Sequence, residues 1–469
     1  MYDESTDPNA ATLIALLPLH FQGSDSYHCG SLNMEDFYRG LAFFFTMQKL
    51  VSPRPYALHG LLLDTCTSSL RIDQDLYSLL SSGSLCNSAT DFGDYIINNS
   101  TIGGVVTTLS TNVMAANRVL APLKIPLVGS MSSSTILSNK EAFPYFARTF
   151  PPDDKQMRII SEILKQNNWT YVSVVYSRES YGISAIDVLE KQSNQNGVCV
   201  GLSVPISYPT NSEEAKVVVN QLIDQQGANV IVLVTLEPRP ILLAAEELGV
   251  LDRFIWIGTD IWGTSSSVVQ GFEQKVMGSI TVGTRFTSVP KFNEYVMELT
   301  YANRKNIPSD WFEEFYQMIH KCQLPDAQVV MSQYPLCSKL EKITTDMLDQ
   351  DKPFVYTTVA ATYAAASAIQ QAKNSRCSAL PTFRECFQDP SNMELLFEKL
   401  LQTQYNVADG FNLNFNSDRY WDVGYSIYNY VMDPPGTYVY KKVSTLKQYI
   451  HLVKPVLRGH LWDKEILAL

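Results

Sequence analysis

Apolar and polar positions alternate along this chain in two rhythms. Short, nearly continuous apolar runs are separated by longer stretches with apolar residues three and four apart. Thr12–Leu17 reads as a strand. Asn33 is placed to cap a helix whose first turn carries Glu35 and Asp36. Phe37, Leu41, Phe44 and Phe45 then recur at helical spacing. Ala57–Leu63, Ile102–Thr107 and Ile125–Val128 read as further strands, with a helix from Ser110 to about Leu120. The pattern then restarts. Helices are expected over Met157–Gln166, from about Ile183, near Glu213–Gln225, and on to Leu248. Between them lie strands Tyr171–Tyr176, Val198–Val204, Asn229–Val234 and Phe254–Gly258. Helices Pro290–Asn303, Trp311–Cys322 and Thr357–Ala372 follow, then Gly424–Met432 and Gly436–Val443, which alternate like antiparallel strands. Strands alternating with helices imply an α/β fold with two doubly wound, largely parallel sheets. Two such lobes imply a ligand cleft between them.

Composition narrows the choice. The chain has 469 residues, 45% apolar and 18% charged, so it can bury ample core and is not disordered. Lys and Arg number 36 against 47 Asp and Glu, a net charge of −11, which argues against nucleic acid as a partner. No uncharged apolar run is long enough to span a bilayer. Met1 to Pro8 is acidic and polar, unlike a signal peptide. The eight cysteines form no CxxC and no histidine pair has zinc spacing, so no metal site and no cofactor are expected. Cys322 with Cys337, and Cys377 with Cys386, lie close in polar loops, which points to disulfides in an oxidising compartment. Glycosylation sequons begin at Asn98, Asn99 and Asn168. The expectation is a mature ectodomain whose leader has been removed.

The chain lacks HExxH, a Walker A loop, GxGxxG after a strand and a GxSxG elbow. Its six histidines sit beside no obvious nucleophile, so an enzyme is not expected. The loops after strands say more, because open α/β sheets bind ligands beyond the carboxyl ends of their strands. Ser110 stands at a helix N-terminus, where free N–H groups suit a carboxylate. Ser132–Ser134 follow the next strand, Tyr181 and Asp260 follow strands of the second unit, and Asp153 lies at the junction. Hydroxyls with helix N–H groups suit a ligand carboxylate, and aspartates with an aromatic face suit its ammonium. Each residue also has a plain structural role open to it: Ser110 as a cap, the serines as a solvated loop, Asp260 as a turn residue, Tyr181 as core.

Several motifs resemble metabotropic glutamate receptors. They are Phe150-Pro151-Pro152-Asp153-Asp154, Asn168-Trp169-Thr170 with the strand after it, Ser180-Tyr181-Gly182, Ile257-Gly258-Thr259-Asp260-Ile261-Trp262, Trp311-Phe312-Glu313-Glu314-Phe315 and Ala361-Thr362-Tyr363-Ala364. They run in family order over nearly the whole chain. The resemblance implies the bilobed Venus-flytrap ectodomain of class C G-protein-coupled receptors, similar to periplasmic amino-acid-binding proteins. It implies a first lobe of residues 10–152 with 285–409, a second of 153–284 with 410–445, and a C-terminal extension, 446–469. The family's cysteine-rich and seven-helix domains do not occur in this sequence.

The resemblance pairs Cys29 with Cys66, Cys322 with Cys337 and Cys377 with Cys386. It makes Cys86 the link between two protomers and Cys199 a buried, unpaired thiol. It assigns the ligand carboxylate to Ser110, and the ammonium to Ser133, Asp153, Tyr181 and Asp260. Met131 stands where the family has a small residue. Of the cations that hold a glutamate side chain, Arg39 matches one. Ser265 replaces a second, and the family lysine aligns with Phe354, two residues from Lys352. The function implied is extracellular sensing of an L-α-amino acid, glutamate first, by lobe closure in a dimer on the outer face of the plasma membrane. A secreted amino-acid-binding protein and a guanylyl-cyclase-type ectodomain are the alternatives.

Overall fold

The computed structural model describes residues 10–51, 58–81, 102–304, 307–348, 354–380, 382–387, 389–433 and 436–446. These fall into two compact units. One holds the chain up to Ser132, Leu137–Phe150 and Phe286–Asp422; the other holds Ser133–Ile136, Pro151–Arg285 and the chain from Val423. Cys86, Asn98, Asn99, Lys352 and the stretch after Leu446 lie outside the described residues.

The first unit is built on a parallel five-stranded sheet. Its order is Leu58–Asp64, Ala11–Leu17, Ile102–Thr107, Leu127–Gly129, Phe146–Arg148. Ala11–Leu17 is buried along its whole length, as a strand covered on both faces should be. Helix Met34–Phe45 starts where Asn33 accepts hydrogen bonds from the backbone N–H groups of Glu35 and Asp36. It continues as a π-helical turn, Thr46–Leu50. Every residue from Asp36 to Phe45 is buried, so this helix has no solvated face there. It packs on Val355–Arg376, a helix buried nearly all round, whose alanines allow close approach.

The second unit's sheet runs Thr437–Leu446, Tyr425–Asp433, Ile280–Thr284, Ile255–Gly258, Val230–Val234, Tyr171–Ser177, Cys199–Ile206. Its five inner and far strands are parallel, and the last two of the chain add antiparallel. Alternate residues of one strand feed two cores. Ile231 and Leu233 join Val175 and Trp256 on one face, while Val230, Val232 and Val234 join Val172, Val174 and Ile257 on the other.

The expected strands recur within a residue or two, except that the last runs three residues further, to Leu446, and several helices differ. The second unit's first two helices begin earlier, at Asp153 and Ser180, and Pro290–Asn303 shrinks to Phe292–Met297. Helices Ser69–Ser81 and Pro390–Gln402 and strand Ile280–Thr284 were not anticipated. The chain returns to the second unit at Val423 rather than at 410. Strand Phe411–Leu413 pairs with Tyr405–Ala408, and the Trp421 N–H donates to the Arg148 carbonyl at 2.9 Å, which keeps 410–422 with the first unit.

Disulfides join Cys29 to Cys66, Cys322 to Cys337 and Cys377 to Cys386. Cys199 is unpaired but exposed, against the expectation of a buried thiol. It opens the strand at the sheet's edge, and Cys199, Gly201 and Ser203 all face outward. Asn168, the sequon residue within the described chain, is exposed. No helix among the described residues is long and apolar enough to cross a membrane.

Candidate functional site

In the second unit the polar residues collect at the carboxyl ends of the strands. Asp153 is the first residue of helix Asp153–Gln166, and its backbone N–H donates to the Ser133 carbonyl at 2.9 Å. Tyr181 stands in the first turn of helix Ser180–Gln195. Gly182 lets that helix begin hard against the preceding strand, because a Cβ there would collide with the Ser177 backbone. Asp260 follows strand Ile255–Gly258. Ser133, Asp153, Tyr181 and Asp260 are all buried.

These groups act on one another. The Tyr181 hydroxyl donates to Thr259 Oγ1 at 2.8 Å. Its acidity is pushed well below that of an ordinary phenol, by burial first and then by the negative charges of Asp260 and Asp153. Burial also raises the Asp260 carboxyl to about 6, against the Gln156 amide that favours its anion. Gln156 donates to Asp260 Oδ1 at 2.9 Å and to the Val282 carbonyl at 2.7 Å. Two carboxylates bearing on one buried phenol form an environment that a compact cation would relieve. Asp260 is therefore more than a turn residue. Tyr181 is core, as its plain structural role had it, and also carries the phenol of this cluster.

The first unit holds the other expected residues. Ser110 is buried as the first residue of helix Ser110–Leu120, and Leu109, not Ser110, occupies the capping position. Ser132, and Ser134 of the second unit, are buried like Ser133, so the serine run is not a solvated loop, while Met131 is half-buried. Ser132 donates to the Thr108 carbonyl at 2.5 Å, and Arg148 Nη1 donates to the Ser132 carbonyl at 3.0 Å. The Thr108 hydroxyl is buried without a hydrogen-bond partner among the described residues.

Arg39 is buried, not solvated. Its Nη1 donates to Asp36 Oδ1 at 2.5 Å and its Nη2 to Glu35 Oε2 at 3.3 Å, and the guanidinium lies 5.7 Å from the centre of the Phe354 ring. Phe354 has a left-handed backbone, φ 73°, which is unusual for a bulky residue. Ser265 is buried and its hydroxyl pairs with Ser267 at 2.8 Å.

Sequence reasoning missed Gln156, Thr259 and Asp36. A signal existed for two of them. Gln156 lies three residues after Asp153, so it shares that helix face, and Thr259 adjoins Asp260. Asp36 read as a first-turn acid; its spacing puts it on one helix face with Arg39, but nothing local showed that the pair would be buried.

Two α/β units with buried polar groups at strand ends define a ligand-binding region of the receptor type. Residues 85–433 match the family described as receptor family ligand binding region, and the chain belongs to that family. It is 28% identical over 461 residues to metabotropic glutamate receptor 4 of Mus musculus, covering 94% of this chain and 50% of that receptor. It is 26% identical over 455 residues to metabotropic glutamate receptor 8 of Rattus norvegicus, covering 93% and 49%. With metabotropic glutamate receptor 6 of Rattus norvegicus the identity is 26% over 441 residues, covering 89% and 50%. The chain thus spans about half the length of the curated relatives it matches.

Proposed function

We propose that this chain is the extracellular ligand-binding domain of a metabotropic glutamate receptor-like G-protein-coupled receptor. It binds an L-α-amino acid, with glutamate the first candidate, in the cleft implied by the family, and signals by lobe closure in a dimer. The observation that carries the reading is the second unit's cluster: Asp153 and Asp260 both bear on the buried Tyr181 phenol. An α-ammonium is the ligand group whose charge complements these two carboxylates. Ser110 and the Thr108 hydroxyl support carboxylate binding by the first unit. Two features support the dimer. Leu70 and Tyr77, 51% and 70% exposed, lie two turns apart on one face of the helix Ser69–Ser81. The stretch after that helix carries Cys86.

The test is a calorimetric screen of the purified chain against the L-amino acids. Binding of at least one, abolished in Asp260→Ala with the fold intact, is expected; no binding by wild-type protein, or unchanged affinity in the variant, sinks the reading. Ligand choice turns on Arg39. A side-chain carboxylate on the ligand must share Arg39 with Asp36. If Arg39 anchors it, acidic ligands win by roughly tenfold or more, and Arg39→Ala erases that preference while weak binding of alanine or serine stays. Tighter binding of neutral amino acids by wild-type protein would remove glutamate.

A further inference from the structure

A cavity of about 310 Å³ in the first unit has a histidine and several carboxylates in its wall. His20 begins the short strand His20–Gln22, Asp64 ends strand Leu58–Asp64, and Glu314 lies on helix Ser309–His320. Asp64 Oδ2 engages His20 Nδ1 in a short hydrogen bond. Its Oδ1 accepts from the backbone N–H groups of His20, at 3.3 Å, and of Cys66, at 3.0 Å. Both Asp64 oxygens are therefore engaged, Oδ2 by the ring and Oδ1 by backbone N–H groups that fix the carboxylate in place. His20 Nε2 is left directed at Glu314 Oε1, 3.5 Å away.

A carboxylate on one imidazole nitrogen is the usual support for an imidazole that ligates metal through the other. The spacing fits as well. Two ligand atoms at ordinary distances from a tetrahedral zinc ion lie about 3.3–3.6 Å from each other. Asp310 and Glu313 line the same cavity and share one helix face with Glu314. Other groups stand close to the ring. Cys29 sulfur lies beside His20 and Asp64, but it is in the Cys29–Cys66 disulfide and offers no thiolate. Arg71 also lines the cavity, with its guanidinium turned to the Tyr27 carbonyl at 3.0 Å and the Asp75 carboxylate at 3.7 Å. Glu313 has a distant ion pair with Arg304 at 3.8 Å.

We propose that this cavity is a divalent-metal site of the zinc type, with His20 Nε2 and Glu314 as ligands. Asp310 or Glu313 and water complete the set, and Asp64 is a positioning residue. The site does not depend on the amino-acid reading, and a bound ion would tie the His20–Gln22 strand to helix Ser309–His320.

The test is calorimetric titration of the whole chain, freed of metal with a chelator, with zinc chloride at neutral pH and with calcium chloride in parallel. One saturable zinc site per chain is expected, with no comparable calcium binding. Glu314→Gln should weaken zinc by at least about tenfold, and Asp64→Asn by about 10–100-fold. His28→Ala should leave binding intact, because it removes only the exposed imidazole beside Asp25, 2.8 Å from that carboxylate. His20 and Asp64 are buried, so their variants risk misfolding. Glu314→Gln and the pair Asp310→Asn with Glu313→Gln, at the cavity wall, therefore carry the test, with folding checked by circular dichroism. Absence of saturable zinc binding by wild-type protein overturns the proposal. Unchanged affinity in folded Glu314→Gln, loss of the site in His28→Ala, or calcium binding as tight as zinc overturns it equally.

Discussion

Asp260 shows how a buried acidic cluster and stability oppose each other at the level of one side chain. Its folded carboxyl titrates near 6 because burial penalises the anion, whereas an unfolded aspartate titrates near 3.8. An acid raised in this way stabilises the fold fully below the unfolded value, and that contribution is lost as pH rises through the folded one. Asp260→Asn keeps an acceptor for Gln156 and removes the charge. Ligand-free Asp260→Asn should be more stable than wild type at pH 8, by roughly 2–3 kcal/mol, with the difference gone below about pH 4. Urea midpoints across that range check it, and a constant difference would assign the effect to packing. On the proposed amino-acid reading, wild-type affinity should also fall as pH drops through about 6, because protonation removes the Asp260 charge. At this scale the sequence was legible at strand ends: Asp153, Tyr181 and Asp260 share one unit and one electrostatic cluster. Arg39 was less legible. Only a family match pointed to it, and nothing in the helix sequence showed that Asp36–Phe45 would be buried all round.

Elements were legible in proportion to how self-contained their signals were. Ile102–Thr107 and Ser110–Leu120 match their expected limits because an apolar run and a helix start are local. Ser69–Ser81 was missed because its sequence, SLRIDQDLYSLLS, mixes charges with apolar residues that remain partly exposed. Ile280–Thr284 was missed because a five-residue strand interrupted by Gly283 is recognised only by its neighbours, Ile255–Gly258 and Tyr425–Asp433. The capped start of Met34–Phe45 was readable, and the structure adds a second duty for it. Asn33 Nδ2 also donates to Asp36 Oδ2 at 2.9 Å, so the cap holds the acid that holds Arg39. Asn33→Ala should cost about 1–2 kcal/mol, at or above the middle of the range for a lost cap. Thermal unfolding measures it, and a loss under about 0.5 kcal/mol would mean that Asp36 keeps its place without the cap.

For the whole molecule, the two-unit α/β plan followed from the rhythm of strands and helices, while the crossing at Val423 did not. Nothing local marks 410–422 as belonging with the first unit; the pairing of Phe411–Leu413 and the Trp421–Arg148 hydrogen bond decide it. Assembly is the remaining prediction at this scale. On non-reducing gels the proposed dimer should appear as a linked band that Cys86→Ser converts to monomer. A linked band surviving in Cys86→Ser would move the bridge to the exposed Cys199.

The discontinuous second unit has a consequence for synthesis. A chain emerging from the ribosome delivers Ile280–Thr284 long before Tyr425–Asp433, the strand that covers that edge. In between, nearly all of the first unit's C-terminal portion must be made. Throughout that interval the nascent second sheet presents bare amide and carbonyl groups along one side, a template for pairing with other chains. Biogenesis should therefore be the step most dependent on chaperones. A polypeptide stopped after Asp422 should aggregate rather than yield a soluble first unit beside a loosened second, and sedimentation of the truncated product would show which occurs.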